Sequence, residues 1–374
     1  MVKVLALITT NDWRAGRADV EAGLSPRKDY LELAAALGAD ILDLSDVGRS
    51  RTAQLFDRAF RRGAGLAWLA SRVQSEYDVI FSDGEHIGLP LAAILARKKR
   101  RPRHVMIGHW LSPWRKRQLA RFARGGIDAL IVHSPMQRNF ATSELKFAER
   151  RVHLVPYQVD AGFWGARPAA ASEPLVVSCG LEQRDYDTLL SAIDGVPVSL
   201  TIAAASHWSR SRNRPREALP ANVTAGSFDY VALRDLYSHS RFVVVPLLPT
   251  DFQAGITTVL EAMAAGKAVI ATRTPGQQDA LVGPLWTAAA TSWPESGPAI
   301  ENASGIYVPP QDPGALRSAM RYVFERPDVA LALGANGKRS TQGGLERYVA
   351  ALASLIDPGR ESAGATPALQ TAGR

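Results

Sequence analysis

The chain of 374 residues holds one cysteine, Cys179. A single thiol excludes a disulfide framework and suits a reducing compartment. Within the apolar run LVVSC it reads as a buried, inert side chain. No apolar run reaches the ~18 residues that a membrane span requires. The opening MVKVLALITTND passes straight into a strand-like segment whose apolar part is too short for a secretory signal with a cleavage site. The expectation is a cytoplasmic protein. The seven histidines are scattered, and none stands with cysteine at a zinc-binding spacing. No G-x-G-x-x-G follows the first strand-like run, where LALITTNDWRAG stands instead, which argues against a nicotinamide-dependent dehydrogenase. Acidic residues are missing from one stretch: Arg97–Arg124 carries 11 Lys/Arg and no Asp/Glu. Residues 1–160 hold 26 Lys/Arg against 17 Asp/Glu, and the remainder 18 against 19, so the formal charge of +8 sits in the first half.

What is present is a soluble composition, 46% hydrophobic and 21% charged, in short β-branched runs that alternate with helix-like segments. The first half gives VKVLALIT, ADILDLSD, YDVIFSDG, RHVMIGH, DALIVHS and RVHLVPYQV. The second gives PLVVSCG, VSLTIAA, NVTAGS, RFVVVPLLP, KAVIAT and GIYVPP. Helical patterns such as RKDYLELAAALG, LPLAAILARKK and RKRQLARFARG lie between them. This alternation predicts an α/β protein of two Rossmann-like domains, each a parallel sheet with helices on both faces. The expected organisation is a first domain over 1–158, an Ala/Pro/Gly-rich linker over 159–174 and a second domain over 175–340. A C-terminal helix over 341–357 would pack back, ahead of a disordered tail over 358–374.

In open α/β sheets the ligand sits beyond the carboxyl ends of the strands. That singles out Asp83, Glu85 and His86, His109, Ser134, Arg184 and the stretch DFQAGITTVLEAMAAGKAVIAT. In the last of these, Gly255 follows a strand and opens a good helix. A helix N-terminus offers unpaired N–H groups and partial positive charge, and glycine lets an anion approach the backbone. Thr257 and Glu261 share a face about 6 Å apart along the axis, roughly the distance from a diphosphate to its ribose. The residues alone also allow an ordinary amphipathic helix with a turn glycine and a surface acid.

The run GITTVLEAMAAGKAVIATRTPG closely resembles the donor-binding signature of retaining GT-B glycosyltransferases of the large family four, the group 1 type. That signature typically reads E-x-F-G-x-x-x-x-E-A-M-A-x-G-x-P-V-I-A. RVHLVPYQVDAGFW, IGHWLSP, DALIVHSPMQRNF and SCGLEQRDYDTLLSAI fall in the family's order, so the resemblance spans about Tyr77–Ser340. It implies a GT-B fold with an interdomain cleft and transfer of a sugar from a nucleoside-diphosphate sugar to an acceptor, with retention and with no metal or other cofactor. It implies ribose binding by Glu261, phosphate binding by Gly255, Ile256, Thr257 and Arg184, and a place for His109 near the donor sugar. Asp83, Glu85 and His86 are candidates for the acceptor side. The sequence departs from the pattern where Gln253 replaces the first glutamate and where Leu181 replaces the arginine of a Gly-Arg pair. A sugar-nucleotide epimerase and a catalytically silent nucleotide-sugar-binding module remain alternatives.

Asp185–Tyr186–Asp187 matches a D-x-D metal motif, but at a helix start the ordinary role of such an aspartate is N-capping. The basic block interleaves Trp110, Trp114, Leu119 and Phe122 with arginines. It could lie on an anionic membrane surface, in keeping with the lipid-linked acceptors such enzymes often use, or be a solvated helix face. It offers no RNA-binding motif and no stacking platform, and nucleic acid is not expected as a partner.

Overall fold

The computed structural model describes residues 2–60, 63–167, 174–204 and 219–359. Six strands, β1 Val4–Leu7, β2 Asp40–Leu42, β3 Val79–Ser82, β4 Arg103–Ile107, β5 Ala129–Val132 and β6 Val152–Leu154, form one sheet in the order β2-β1-β3-β4-β5-β6. A second sheet runs β12-β11-β10-β7-β8-β9. It is built from β7 Leu175–Cys179, β8 Ser199–Ala203, β9 Val223–Gly226, β10 Phe242–Val245, β11 Ala268–Thr272 and β12 Gly305–Val308. Every pairing is parallel.

The strands are apolar on both faces because helices cover both. In the first sheet Val4, Ala6 and Ile8 join one core while Leu5 and Leu7 join the other, as the period of two requires. In the second, Phe242 and Val244 face one way and Val243 and Val245 the other. Each fully buried aliphatic contributes roughly 1.5–3 kcal/mol, so both halves carry their own core.

Two segments tie the halves together. The stretch expected as a linker holds a short helix, Ala161–Trp164, whose Phe163 and Trp164 are buried in the core of the second sheet. Its residues 168–173 lie outside the described residues. The helix Gly344–Ile356 returns to the first sheet, where Tyr348, Leu352 and Ile356 at helical spacing enter the core beside the helix Asp29–Leu37. Arg103 Nη1 donates to the carbonyls of Leu355 (2.6 Å) and Ile356 (3.1 Å) at its end, satisfying acceptors a helix terminus leaves open. Arg27 pairs with Glu346 at 2.6 Å and with Asp160, the cap of the short helix, at 3.0 Å. The tail from residue 360 is outside the described residues.

One helix was not legible. Trp13–Glu21 lies in the loop after β1, capped by Asp12, and it buries none of its residues. A helix without a core face leaves no apolar period to read.

Candidate active site

In the second sheet β7 lies between β10 and β8, so the crossover direction reverses between β7 and β10. A crevice opens beyond the carboxyl ends of strands at such a reversal. The turn after β7 and the loop after β10 meet there: Asp185 N donates to Pro246 O at 3.1 Å and Leu248 N to Gln183 O at 2.9 Å. Arg184, 5% exposed, is held inside this junction. Its Nε donates to Cys179 O (2.8 Å), Nη1 to Glu182 O (2.7 Å) and Nη2 to Thr258 Oγ1 (3.2 Å). Two left-handed glycines flank the guanidinium. A Cβ on Gly180, at φ 98°, would stand 2.5 Å from Nη2, and one on Gly255, at φ 74°, would stand 3.4 Å from both Nη atoms. Glycine is therefore required on both sides, for backbone conformation and for room.

Gly255 caps the helix Ile256–Ala264. Its open N–H groups and the fixed arginine charge beneath form one electropositive tip. A turn holds the loop from behind: Gly276 N donates to Thr250 O at 3.1 Å and Gln277 Nε2 to Ala254 O at 3.2 Å. Ile256 is half-buried and Thr257 exposed at the tip, whereas Thr258, buried, is the threonine that bonds Arg184. One turn further in, Glu261 accepts from the Tyr237 hydroxyl at 3.2 Å. Protein crowds this carboxyl while its edge stays open to solvent. Burial pushes it up to about 8 against the opposing pull of Tyr237, Lys28 and Arg184. Gln253 is half-buried, and its Oε1 is buried with no hydrogen-bond partner among the described residues.

The facing wall comes from the first half. Lys28, cap of the helix Asp29–Leu37, lies 4.0 Å from the centre of the Tyr230 ring and acts electrostatically on Glu261. Burial lowers its ammonium to about 8. Trp110, after β4, stacks on Phe252 at 4.5 Å and donates Nε1 to Asp251 Oδ1 at 3.0 Å. The two halves thus touch at both ends of the Gly255 loop and helix, with the tip between them.

His109 is fixed through its backbone. Its N–H donates to Glu85 Oε2 at 2.9 Å, and its carbonyl accepts from Gln137 Nε2 at 2.6 Å. His133 packs behind it, ring centres 5.3 Å apart. His133 Nδ1 bonds Val155 O at 2.8 Å. A carbonyl only accepts, so Nδ1 carries the proton. Burial and His109 together hold this imidazole neutral, lowered to about 3.

The three acceptor candidates separate. Glu85 is 4% exposed and pairs with Lys116 Nζ at 2.6 Å. Burial alone would raise it, but His109 and Lys116 outweigh burial and keep it low. It is a clamp on the His109 backbone and not a cleft-lining acid, which corrects the expectation for it. His86 Nε2 is 2.8 Å from Thr9 Oγ1, tying the ends of β3 and β1. Asp83 stays recessed on the cleft side, its carboxyl raised well above the usual range by burial, then by Asp29 and Glu85. Asp29 is raised by burial too. Sequence reasoning missed Asp29, Lys28, Tyr237 and Thr258 as site residues; only Thr258, beside Thr257 in the helix start, carried a local signal.

The remaining candidates have structural roles. Ser134 caps the helix Pro135–Ser143 in a reciprocal capping box with Gln137. Asp185 caps the helix Tyr186–Ile193, accepting from Thr188 N at 3.1 Å, so the D-x-D match is a cap as expected. Leu181, in place of the family's arginine, is buried in the core. Among the described residues no group of three or more His, Cys, Asp and Glu could hold a metal ion.

The family profile described as Glycosyl transferases group 1 matches residues 175–326. No curated protein sequence matches the chain. Among solved structures, sucrose-phosphate synthase of Thermosynechococcus elongatus is similar at 20% identity, with 94% of this chain and 98% of that one covered and a TM-score of 0.63. HepE of Anabaena, in complex with UDP-glucose, is similar at 14% identity, with 96% and 100% covered and a TM-score of 0.66. An E. coli structure described as trehalose-6-phosphate, bound with UDP-2-fluoro glucose, is similar at 12% identity, with 95% and 98% covered and a TM-score of 0.60. The match at residues 175–326 falls on the half that builds the Gly255–Arg184 tip, and the structural likeness extends over both sheets. With residues 175–326 matching the group 1 glycosyl transferase profile, and the fold of these structures throughout, the chain is a glycosyltransferase.

Proposed function

We propose that the cleft takes a nucleoside-diphosphate sugar, with uridine the first base to test, and transfers its sugar with retention and without a metal ion. The observation that carries this reading is the Gly255 tip seated on Arg184, with Glu261 one turn deeper. Diphosphate oxygens would lie on the tip amides, their charge balanced by the guanidinium beneath. Glu261 would take the ribose hydroxyls, for which an ionised carboxylate is the better acceptor. The similar structures that hold UDP-glucose and UDP-2-fluoro glucose support uridine. A similar trehalose-6-phosphate synthase, described in terms of glycosyl transfer with retention, supports that stereochemistry.

In the transfer, the bond from the anomeric carbon to the phosphate oxygen breaks and the nucleoside diphosphate leaves with the electron pair. The acceptor oxygen bonds that carbon from the same face, and its proton passes to the leaving phosphate. The catalytic work is to stabilise leaving charge and hold the acceptor. Arg184 and the helix tip do the first. Gln253 Oε1 would accept from a sugar hydroxyl, and His109 would bound the sugar end. Asp83 and Asp29, carboxyls kept toward the protonated state, would line the acceptor side.

The acceptor is proposed to be lipid-linked and reached at an anionic membrane surface on the cytoplasmic side. Support comes from the helix Trp114–Ala123, where Trp114 and Phe122 stay 66% and 64% exposed while Ala120 and Ala123 pack inward. Among the described residues no helix is long and apolar enough to cross a membrane.

The test is a thermal-shift series with UDP, GDP, ADP and their sugars, with and without chelator. A nucleoside diphosphate should raise the melting temperature in chelator, and Glu261→Ala should shrink the shift. A strict requirement for magnesium or manganese, or no shift with any of the three, would refute the reading.

A further inference from the structure

The helix Trp114–Ala123 runs from the cleft side, after β4, to the opposite end of the first sheet, where Arg121–Gly125 precede β5 and Lys146–Arg151 precede β6. These two turns enclose a depression of about 390 Å³ at the amino ends of the strands, facing away from the cleft. Buried Phe147 lies in its lining, and Arg121, Arg124, Lys146, Arg150 and Arg151 surround it. Sequence reading stopped at Arg124. The last three cations come from a separate segment that only the fold brings alongside.

The charge there is poorly matched by acids. Arg121 donates Nε to Glu144 O at 2.9 Å and stands 3.8 Å from its carboxylate, and Arg151 Nη1 donates to Ile127 O at 3.4 Å. The other acids close in sequence are Glu149, exposed on the same turn, and Asp128, which is taken up by Arg101 at 2.5 Å. Arg124, Lys146 and Arg150 are exposed, and their side chains make no hydrogen bond or ion pair among the described residues. Lys146 also holds a left-handed backbone, φ 60°, a conformation that costs a non-glycine residue free energy. Phe122 lines the same depression and is exposed, with Arg97 5.9 Å from its ring centre. Trp114, Gln118 and Phe122, four residues apart, form the outward stripe of the helix and are all exposed.

We propose that this depression binds the phosphate head group of an anionic phospholipid, with Phe122 and Trp114 entering the interfacial layer beside it. This rests on the membrane-facing reading of the helix given above and adds the site that reads the head group. Convergent guanidinium groups match phosphate oxygens in charge and geometry. A ring standing exposed at the rim needs an apolar layer next to the phosphate, which a bilayer provides and a free phosphate ester does not. The site lies at the far end of the sheet from the donor cleft, so occupancy would orient the protein without competing with the donor.

The experiment is sedimentation of the full chain with vesicles of phosphatidylcholine alone or with about one third phosphatidylglycerol, whose negative surface attracts polybasic segments. Inorganic phosphate and glycerol phosphate are run as soluble competitors. Wild-type protein should bind the anionic vesicles, and Arg124→Glu with Arg150→Glu should weaken that binding at least about tenfold, with the UDP-induced thermal shift unchanged. Trp114→Ala with Phe122→Ala should weaken binding but keep its dependence on phosphatidylglycerol. If the double charge reversal binds like wild type, the pocket is wrong while the membrane reading stands. If wild type binds neither vesicle, both are wrong. Saturable binding of either soluble phosphate at millimolar levels without vesicles, or preference for a single-stranded oligonucleotide over vesicles, would overturn the lipid as occupant.

Discussion

The proposed donor wall of the cleft comes from one loop and helix, Thr250–Ala264, braced by the turn after β7. The facing wall gathers Lys28 and Asp29 from a helix start, and Asp83 and His109 from two strand ends, all far apart in the chain. The donor wall is rigid by construction: a buried arginine, two left-handed glycines and a backing turn leave its tip little freedom. The facing wall is electrostatically tense. Lys28, Asp29 and Asp83 are all shifted toward their neutral forms by burial. A wall that grips a constant diphosphate can be stiff. A wall that meets an acceptor has reason to carry groups whose charge answers to what arrives.

The sharpest way to break that contrast is at Arg184. Arg184→Ala should cut transfer by about 10²–10³-fold, the size expected when a fixed charge at a leaving group is removed, and abolish the UDP-induced thermal shift. Gly180→Ala should mimic it without touching a charged residue, since its Cβ would meet the guanidinium at 2.5 Å. Transfer assays that find Gly180→Ala unimpaired would show that the arginine's placement is not limiting.

Next in size is Glu261. Glu261→Ala should weaken donor binding about 10–100-fold, the loss of hydrogen bonds to a charged group, measured by titration calorimetry with UDP. The same carboxyl makes a stability prediction. Its folded value of about 8 lies above the ordinary 4.5. Between those values the folded chain binds the extra proton, so its contribution to stability falls as pH rises from about 4.5 to about 8. Glu261→Gln should flatten that part of the pH–stability curve and make the unliganded protein more stable at pH 8 to 9. Chemical denaturation in that range decides it, and an unchanged slope would place the tension in Asp29 and Asp83 alone.

Trp110→Ala removes the stack on Phe252 and the bond to Asp251. An expected loss of about tenfold, one good contact and one hydrogen bond, should fall on kcat more than on KM for the donor. A change in donor KM alone would mean that Trp110 serves donor binding and not the alignment of the two halves. Smallest in activity is Lys116→Met, which strands the buried Glu85 carboxylate. It should cost about 2 kcal/mol of stability, less than a fully buried pair because Lys116 is partly exposed. Denaturant titration reads it directly.

How far each wall was legible follows from how it is built. Gly255 and Glu261 could be singled out because a helix start is written in consecutive residues: a glycine to open it, an acid one turn on. Thr257 was read as facing the donor phosphates, and the inward bond of its neighbour Thr258 to Arg184 was not legible, since spacing gives a face but not the distance to a residue seventy-four positions away. Glu85 was read as a loop acid because sequence cannot show that Lys116, thirty-one residues on, folds over it. The basic block was half read. Its arginines were visible, but Trp110 left it for the domain contact, Leu119 packs inward, and Lys146, Arg150 and Arg151 join from elsewhere.

By itself the sequence determined the two parallel sheets and the glycine-opened helix start that the proposed function uses. Each of these depends on local periodicity, or on which residue tolerates a left-handed turn, and local backbone physics is carried by neighbouring residues. Only the tertiary structure decided the protonation of Glu261, the guanidinium cradle of Arg184, the Trp110–Phe252 contact and the five-cation depression. These depend on desolvation and on distances between segments tens to hundreds of residues apart, and such quantities exist only once the chain has closed on itself.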